Sequence, residues 1–328
     1  MIVSKTPMRM SYVGGGSDLL AFYREELGAV LSTSIDKYMY LSVNRKFDGR
    51  IRVSYSRTED VDLPHQVEHP LVREALTVVG IEGGIEISSM ADIPSKGAGL
   101  GSSSAYTVGL LNALYAYKNQ YVSKETLARQ ACDIEINRCG EPIGKQDQYA
   151  AAYGGFNLIR FYPDETVSVD PVICKPTLLR TLEDSTLVFF TGRTRSASAV
   201  LAEQSKALLL TDRKVLMRRM VQLAFELKTE LEAGALDNFG AILDENWRLK
   251  SQLAKGITDP QIDAWYVTGM AHGAKGGKIL GAGNGGFMMF FAPPHLHQAI
   301  TMALSDLEPV KFRFDQNGAR IVFYQPTE

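Results

Sequence analysis

The sequence lacks the features of a membrane, secreted or nucleic-acid-binding protein. It contains no run of about 18 apolar residues, and its first residues do not form the apolar stretch of a signal peptide. The formal net charge is -2, so we expect no long-range attraction to nucleic acid or anionic membrane. The 3 cysteines have no metal-ligand spacing, which indicates reduced thiols. We therefore expect a cytoplasmic protein whose partners are small molecules.

The two common phosphate-binding signatures are also missing from a stretch rich in glycine and serine. Residues 94–105 read P-S-K-G-A-G-L-G-S-S-S-A, which matches neither G-x-x-x-x-G-K-[ST] nor G-x-G-x-x-G. A helical pattern begins directly afterwards, so glycine backbone, hydroxyl groups and a helix N-terminus meet at one place. An ordinary turn and cap would account for one glycine and one serine, but not for Gly97, Gly99 and Gly101 together with Ser102, Ser103 and Ser104. The stretch is typical of an anion site, and we interpret it as a phosphate loop.

A second glycine-rich segment, residues 9–19, reads R-M-S-Y-V-G-G-G-S-D-L. Three consecutive glycines followed by Ser17 and Asp18 could bring backbone close to a ligand, with Asp18 accepting hydrogen bonds from hydroxyl groups. An ordinary turn with an Asp or Ser cap explains the same letters. The residues alone favour neither interpretation.

Two carboxylates lie downstream on predicted helices. Ser123 is the expected N-cap of the predicted helix 123–137. On this helix Glu135 continues a stripe of small side chains, and a buried carboxylate needs either an Arg or Lys partner or a metal ion. Beside a phosphate loop we favour Mg²⁺, which prefers one or two carboxylates together with phosphate oxygens. Asp147 lies near the start of a short helix among alanines, where it either complements the helix dipole or faces a ligand.

Two further loops carry candidate binding groups. Residues 191–198, T-G-R-T-R-S-A-S, follow a predicted strand and precede a helix, so Arg193 and Arg195 are either a phosphate or carboxylate fork or solvated surface residues. Residues 281–286 form a glycine loop between two apolar strands.

The order of predicted elements indicates an α+β protein. Strands are predicted at 2–5, 29–44, 51–56, 84–90, 156–161, 186–191, 310–314 and 320–324. Helices with Asp caps are predicted at 212–232, 237–254 and 259–272. We expect an N-terminal domain at 1–186 and a C-terminal α+β domain at 187–328, which the last two strands complete.

These motifs carry a resemblance to a known family. The phosphate loop resembles the P-x-x-x-G-L-G-S-S-A signature of the GHMP kinases, and residues 278–286 resemble their third motif, K-x-x-G-A-G-x-G-G. The resemblance spans essentially the whole chain. It implies the two-domain GHMP kinase fold, with an N-terminal β-α-β domain of the ribosomal-protein-like type and a ferredoxin-like C-terminal domain. It also implies an ATP-dependent kinase that uses Mg²⁺.

The resemblance implies a role for each motif residue. Asp147 would be the catalytic base, Arg9 would assist it, and Glu135 and Ser103 would hold Mg²⁺. The ATP phosphates would be bound by the loop residues Gly97, Ala98, Gly99, Leu100, Gly101, Ser102, Ser103 and Ser104. The acceptor would be bound by Arg9, Gly15, Gly16, Ser17, Asp18, Asp147, Arg193, Arg195, Gly283 and Gly285.

Within the family the chain is most similar to the D-glycero-D-manno-heptose 7-phosphate kinases, through M-R-x-S-x-x-G-G-G-S-D-L and T-G-x-x-R-S-A-S. This implies phosphorylation of the anomeric C1 hydroxyl to the 1,7-bisphosphate, for nucleotide-activated heptose and surface polysaccharide synthesis. Arg193, Arg195 and Lys96 are candidates for the second phosphate site that such a substrate needs, and the alternative for Lys96 is contact with the nucleotide. The alternatives are an L-fucokinase or galactokinase relative, and a non-catalytic sensor of sugar or nucleotide. The sequence is compatible with a homo-oligomer.

Overall fold

The structure is a computed structural model that describes residues 1–93, 97–193 and 197–325. The strands are β1 (Ile2–Val13), β2 (Gly28–Arg45), β3 (Ile51–Ser54), β4 (Thr58–Val61), β5 (Ile85–Ala91), β6 (Phe156–Phe161), β7 (Val167–Pro171), β8 (Thr186–Phe190), β9 (Gly276–Ile279), β10 (Phe287–Phe291), β11 (Glu308–Pro309), β12 (Phe314–Asp315) and β13 (Arg320–Tyr324). The helices are α1 (Leu20–Tyr23), α2 (Pro70–Val79), α3 (Ser102–Tyr117), α4 (Lys124–Cys132), α5 (Gln146–Tyr153), α6 (Pro176–Asp184), α7 (Ala197–Ala207), α8 (Thr211–Glu232), α9 (Phe239–Leu253), α10 (Pro260–Ala271) and α11 (His297–Ala303). The predicted α+β class is confirmed.

Within the described residues, the larger sheet has 9 strands and is built around the long hairpin of β1 and β2. One half of β2 pairs with β5 and the other half pairs with β6, so the sheet branches, and its main path runs β13-β1-β2-β5-β3-β4. Helices α3 and α5 pack against this hairpin, as do α8 and α9. The loop before α3 and the turn after β1 are thereby placed at the same side of the core.

The smaller sheet has 4 strands in the order β11-β8-β10-β9, again counted over the residues described. All its neighbours are antiparallel, and α9 and α10 contact β9. The loop 281–286 joins β9 to β10 and lies beside the phosphate loop, because a Cβ added at Gly281 would fall 2.5 Å from the Cα of Gly99.

The placement of the last two strands was predicted wrongly. β12 pairs with β2 and β13 pairs with β1, so both join the larger sheet rather than the smaller one. The physical reason is that the outer side of β1 leaves backbone donors and acceptors unpaired, and β13 pairs with them. The predicted boundary at 186/187 stays a prediction, although the chain returns to the first sheet at its end.

Helix caps agree with the sequence at two positions and differ at two. Ser123 caps α4 by accepting from the Thr126 amide, and Asp259 caps α10 by accepting from the Gln261 and Ile262 amides. Asp212 and Asp237 do not cap α8 and α9. Asp212 lies inside the first turn of α8, where its charge still favours the helix dipole. None of the described helices is long and apolar enough to cross a membrane, and the 3 cysteines are unpaired.

Candidate active site

A cavity of about 590 Å³ lies where the two glycine loops, the turn after β1 and the four helices α3, α5, α7 and α9 meet. This volume is in the range of small-molecule sites. Its wall includes Arg9, Gly16, Asp18, Gly97, Ala98, Gly99, Gly101, Ser102, Ser103, Ser104, Glu141, Ile143, Gly144, Gln146, Asp147, Ala197, Ser198, Leu201, Gln204, Lys250, Gly281 and Ala282. Most of the predicted phosphate-loop residues therefore face one space together with Arg9 and Asp147.

The phosphate loop has the backbone that its glycines predict. Gly97, Gly99 and Gly101 have φ of +71°, +74° and +73°, a region that other residues rarely adopt. Gly101 directly precedes α3, and no described side chain caps this helix. The first amides of a 16-residue helix are thus directed at the cavity without an internal partner, which is the usual arrangement for binding an anion.

Glu135 lies behind the serines at the tip of α3. It is fully buried in the widened helical turn Asp133–Arg138 that continues α4. Its Oε1 accepts from Ser103 Oγ at 3.3 Å and from Thr107 Oγ1 at 2.6 Å. Its Oε2 accepts from Ser104 Oγ at 2.7 Å and from the Gln148 amide. The carboxylate therefore has four neutral donors.

No Arg or Lys pairs with Glu135 in the described residues, so the salt bridge that the sequence also allowed is not found there. Burial without a counter-charge raises the pKa of Glu135 to about 7. A cation beside Ser103 and Glu135 would remove this penalty, and oxygen donors are what Mg²⁺ prefers. The hydroxyl oxygen of Ser103 and the carboxylate of Glu135 therefore fit a divalent ion whose remaining ligands come from phosphate and water.

Arg9 and Asp147 form a two-pronged ion pair in the cavity wall. Arg9 Nε donates to Asp147 Oδ1 at 2.8 Å, and Nη2 donates to Oδ2 at 2.7 Å. Nη1 donates to the Gly99 carbonyl at 2.7 Å, which ties the pair to the phosphate loop. Arg9 is buried, whereas the Asp147 side chain is 24% exposed. The carboxylate is held in a fixed orientation and keeps an open side toward the cavity.

The turn after β1 presents Asp18 to the same space. Its Oδ1 accepts from the Gly16 amide at 2.9 Å and from Gln146 Nε2 at 3.1 Å. Burial raises the pKa of Asp18, and the nearby Asp147 adds to the shift. Gly144 packs directly on this carboxylate, because a Cβ there would fall 1.9 Å from Oδ2. Asp18 thus accepts from Gln146, the residue that precedes Asp147 in the chain.

Comparison with known proteins assigns both parts of the chain to one family. The family model described as "GHMP kinases N terminal domain" matches residues 69–155, and the model described as "GHMP kinases C terminal" matches residues 227–305. A D-glycero-alpha-D-manno-heptose 7-phosphate kinase of Campylobacter jejuni is 31% identical over 310 residues, which cover 89% of this chain and 90% of that protein. The chain belongs to the GHMP kinases.

Two further similarities concern sugar kinases. A bifunctional fucokinase/GDP-fucose pyrophosphorylase of Arabidopsis thaliana is 29% identical over 311 residues, covering 87% of this chain and 29% of that protein. The crystal structure of a D-glycero-D-manno-heptose 1-phosphate kinase from Bacteroides thetaiotaomicron superposes with a TM-score of 0.81 at 26% identity, covering 98% of both chains. This GHMP kinase is an ATP-dependent phosphotransferase that acts on a hydroxyl group of a sugar.

Some predicted residues of the kinase lie away from the cavity. Arg193 Nη1 donates to Asp259 Oδ2 at 2.8 Å, and its guanidinium lies 5.3 Å from the ring centre of Trp265. Gly283 and Gly285 have positive φ, but they pack on Ile257 and on the Arg193 backbone, respectively. From the same loop, Gly281 and Ala282 line the cavity instead. Lys96 and Arg195 lie outside the described residues. Their roles remain predictions.

The sequence did not single out several residues of the kinase's cavity wall, among them Lys250, Gln204 and Gln146. Lys250 on α9 donates to the Gly281 carbonyl at 2.5 Å, and burial lowers its pKa to about 8. Gln204 on α7 is fully buried over Gly16, and Gln146 on α5 donates to Asp18. A signal for Lys250 was present, since it continues the apolar face of Leu243 and Trp247 in α9.

Proposed function

We propose that this kinase transfers the γ-phosphoryl group of ATP to the anomeric C1 hydroxyl of D-glycero-D-manno-heptose 7-phosphate and forms the 1,7-bisphosphate. The observation that carries the proposal is the convergence of Asp147, held by Arg9, with the serine-tipped phosphate loop on one cavity. The names of the similar proteins from Campylobacter jejuni and Bacteroides thetaiotaomicron support a heptose acceptor. The product would feed the synthesis of nucleotide-activated heptose for surface polysaccharide.

The proposed chemistry is an in-line displacement at the γ-phosphorus. The C1 oxygen forms a bond to phosphorus, and the bond to the bridging oxygen of ADP breaks. Asp147 accepts the proton of the C1 hydroxyl, because its carboxylate has an open side to the cavity and an orientation fixed by Arg9. Most of the rate enhancement would come from positioning and charge neutralisation.

The phosphate loop and Glu135 would prepare the ATP for this step. The free amides at the start of α3 and the backbone at Gly97, Gly99 and Gly101 would bind the phosphate oxygens. Glu135 and Ser103 would hold Mg²⁺, which neutralises charge on the phosphates when bound. Thr107, Ser104 and Gln148 keep the Glu135 carboxylate in place by donating to it.

The acceptor would lie between Asp147 and the turn after β1. Asp18 would accept hydrogen bonds from sugar hydroxyl groups, next to Gly15, Gly16 and Ser17. Arg193 remains a candidate for the 7-phosphate, and it would then exchange Asp259 for the phosphate.

An acceptor panel with ADP release as the readout tests the proposal. The panel contains heptose 7-phosphate, heptose 1-phosphate, free heptose, L-fucose, D-galactose and mevalonate. We expect the highest kcat/KM with heptose 7-phosphate, and a ³¹P NMR spectrum of the product with one new phosphate coupled to the anomeric proton. A preference for free L-fucose would instead support the second candidate, a fucokinase, which the similarity to the Arabidopsis protein favours. Absence of ADP release with all acceptors would contradict the kinase activity and favour the sensor.

A further inference from the structure

Lys250 places an ammonium group in the cavity wall without a carboxylate partner. The side chain belongs to α9 and is 3% exposed. Nζ donates to the Gly281 carbonyl at 2.5 Å, and no carboxylate oxygen of the described residues lies within 4.0 Å of it. An ammonium group has three donors, so one backbone carbonyl leaves two of them without a described partner.

The position of this ammonium group relates it to the reacting atoms. Gly281 packs on Gly99, and the Gly99 carbonyl accepts from Arg9, which also holds Asp147. The charged groups that face Lys250 are Arg9, Asp18 and Asp147, with Lys278 behind it. Lys250 therefore lies where the two glycine loops meet, close to the proposed base.

A buried charge of this kind is strongly unfavourable unless an ion of opposite sign accompanies it. Lys278 shows the contrasting case in the same fold. It donates to the Ser11 and Tyr12 carbonyls at 2.7 and 3.0 Å and does not line the cavity. Two carbonyls engage Lys278 as an internal brace, whereas Lys250 faces a space into which an anion can enter.

We propose that Lys250 is a catalytic residue that contacts the phosphoryl group in transit from ATP to the acceptor. In this step the acceptor oxygen bonds to the γ-phosphorus, the bridging oxygen leaves with ADP, and Asp147 takes the hydroxyl proton. Lys250 keeps its protons and offsets the charge on the equatorial oxygens. The inference depends on phosphoryl transfer and on no particular sugar.

The test compares Lys250→Met with Arg248→Met, an exposed control that removes one positive charge from the same helix. The acceptor is the sugar that the wild-type enzyme phosphorylates best. We expect Lys250→Met to lower kcat by about 100-fold or more. We expect a non-hydrolysable ATP analogue to bind about 10-fold more weakly, and ADP to bind within about 2-fold of wild type, because ADP lacks the γ-phosphoryl group. Arg248→Met should leave kcat and both nucleotide affinities unchanged.

Two outcomes would overturn the assignment. A rise in KM for a phosphorylated acceptor alone, with unchanged kcat and analogue affinity, would mean that Lys250 binds the acceptor's own phosphate. A lower melting temperature with unchanged kinetics would mean that it is only a structural residue.

The nucleotide arm needs no acceptor, so it remains decisive if the sugar assignment fails. If Lys250→Met does not fold, the wild-type enzyme provides the same test by calorimetry between pH 7 and 9.5. The affinity for the ATP analogue should then fall with rising pH while that for ADP stays constant. Parallel behaviour of the two nucleotides would contradict the proposal.

Discussion

Arg9 reaches Asp147 with both sides of its guanidinium fork and uses the remaining nitrogen to hold the Gly99 carbonyl. One buried arginine therefore fixes the proposed base relative to the proposed phosphate loop. This links a residue of β1 to a residue of α5 that lies 138 positions later in the chain. The precision of the site depends on this pair, because a carboxylate that rotated freely would rarely meet the acceptor hydroxyl correctly.

Asp147→Asn tests the base. The amide can keep one hydrogen bond with Arg9 but cannot take a proton, so we expect kcat to fall by about 100-fold or more while ADP affinity is retained. Asp170→Asn is the matched control, since Asp170 accepts from Arg160 at 2.8 Å away from the cavity. Steady-state kinetics and calorimetry measure both effects. An Asp147→Asn enzyme with full activity would remove Asp147 from the mechanism.

Glu135→Gln tests the proposed metal ligand through stability and Mg²⁺ dependence. An amide can keep the same neighbours, because the hydroxyls of Ser103 and Thr107 can also accept. We expect the Mg²⁺ concentration needed for half-maximal rate to rise about 10-fold or more, since one charged ligand is lost.

The ligand-free Glu135→Gln protein should also be more stable than wild type at pH 8. The folded-state pKa of Glu135 is raised above its ordinary value to about 7, so ionisation costs the folded state free energy as pH rises from about 4.5 to 7. The gain should be on the order of 1 to 3 kcal/mol at pH 8 and absent at pH 4. Urea unfolding measures it, with Glu125→Gln on α4 as the control. If the Glu135→Gln and wild-type proteins were equally stable at both pH values, Glu135 would not carry a buried charge.

The sequence predicted the glycine loops well because the residue type itself dictates the backbone there. Gly97, Gly99 and Gly101 all adopt the positive φ that other residues avoid. The hydroxyl donors of α3 and the carboxylate of Glu135 were also visible, since helical spacing directs side chains to known faces. Backbone conformation and helix faces are therefore predictable from short stretches of sequence.

Contacts between segments that are distant in the chain could not be predicted from the local sequence. Lys250 looks like an ordinary helix lysine until α9 is placed over the Gly281 carbonyl. Arg193 looks like a free anion fork until Asp259, 66 residues later, is found beside it. The pairing of β13 with β1 depends on which strand edge is left open, and no property of the β13 residues specifies that edge.

The pH dependence of kcat/KM reports the state of Lys250 in the free enzyme. Burial lowers its pKa from 10.5 to about 8, against the opposing effects of Asp18 and Asp147. A lysine with a lowered pKa is charged below that value, so activity should fall as pH rises through about 8. Lys250→Arg keeps its charge across this range, and its alkaline limb should move to higher pH. Identical alkaline limbs in the two enzymes would contradict this prediction.

Gln204 is expected to stabilise the bound acceptor at the expense of the ligand-free fold. Its side-chain oxygen and nitrogen are buried without a partner in the described residues, and a Cβ at Gly16 would fall 2.0 Å from its Nε2. Gln204→Leu should therefore raise the unfolding free energy by about 1 kcal/mol, because an unpaired buried amide is removed.

The same change should raise the acceptor KM by about 10-fold and leave the ATP KM unaltered, because Gln204 packs over Gly16 in the turn after β1, where we place the acceptor. Gln130→Leu is the matched control. Gln130 also has a buried, unpaired side-chain oxygen, but it donates to Tyr115 away from the cavity, so its KM values should not move. If Gln204→Leu shifts both KM values equally or shifts neither, Gln204 only packs against the turn, and the specificity of the acceptor site must come from other residues, such as Asp18 and Gln146.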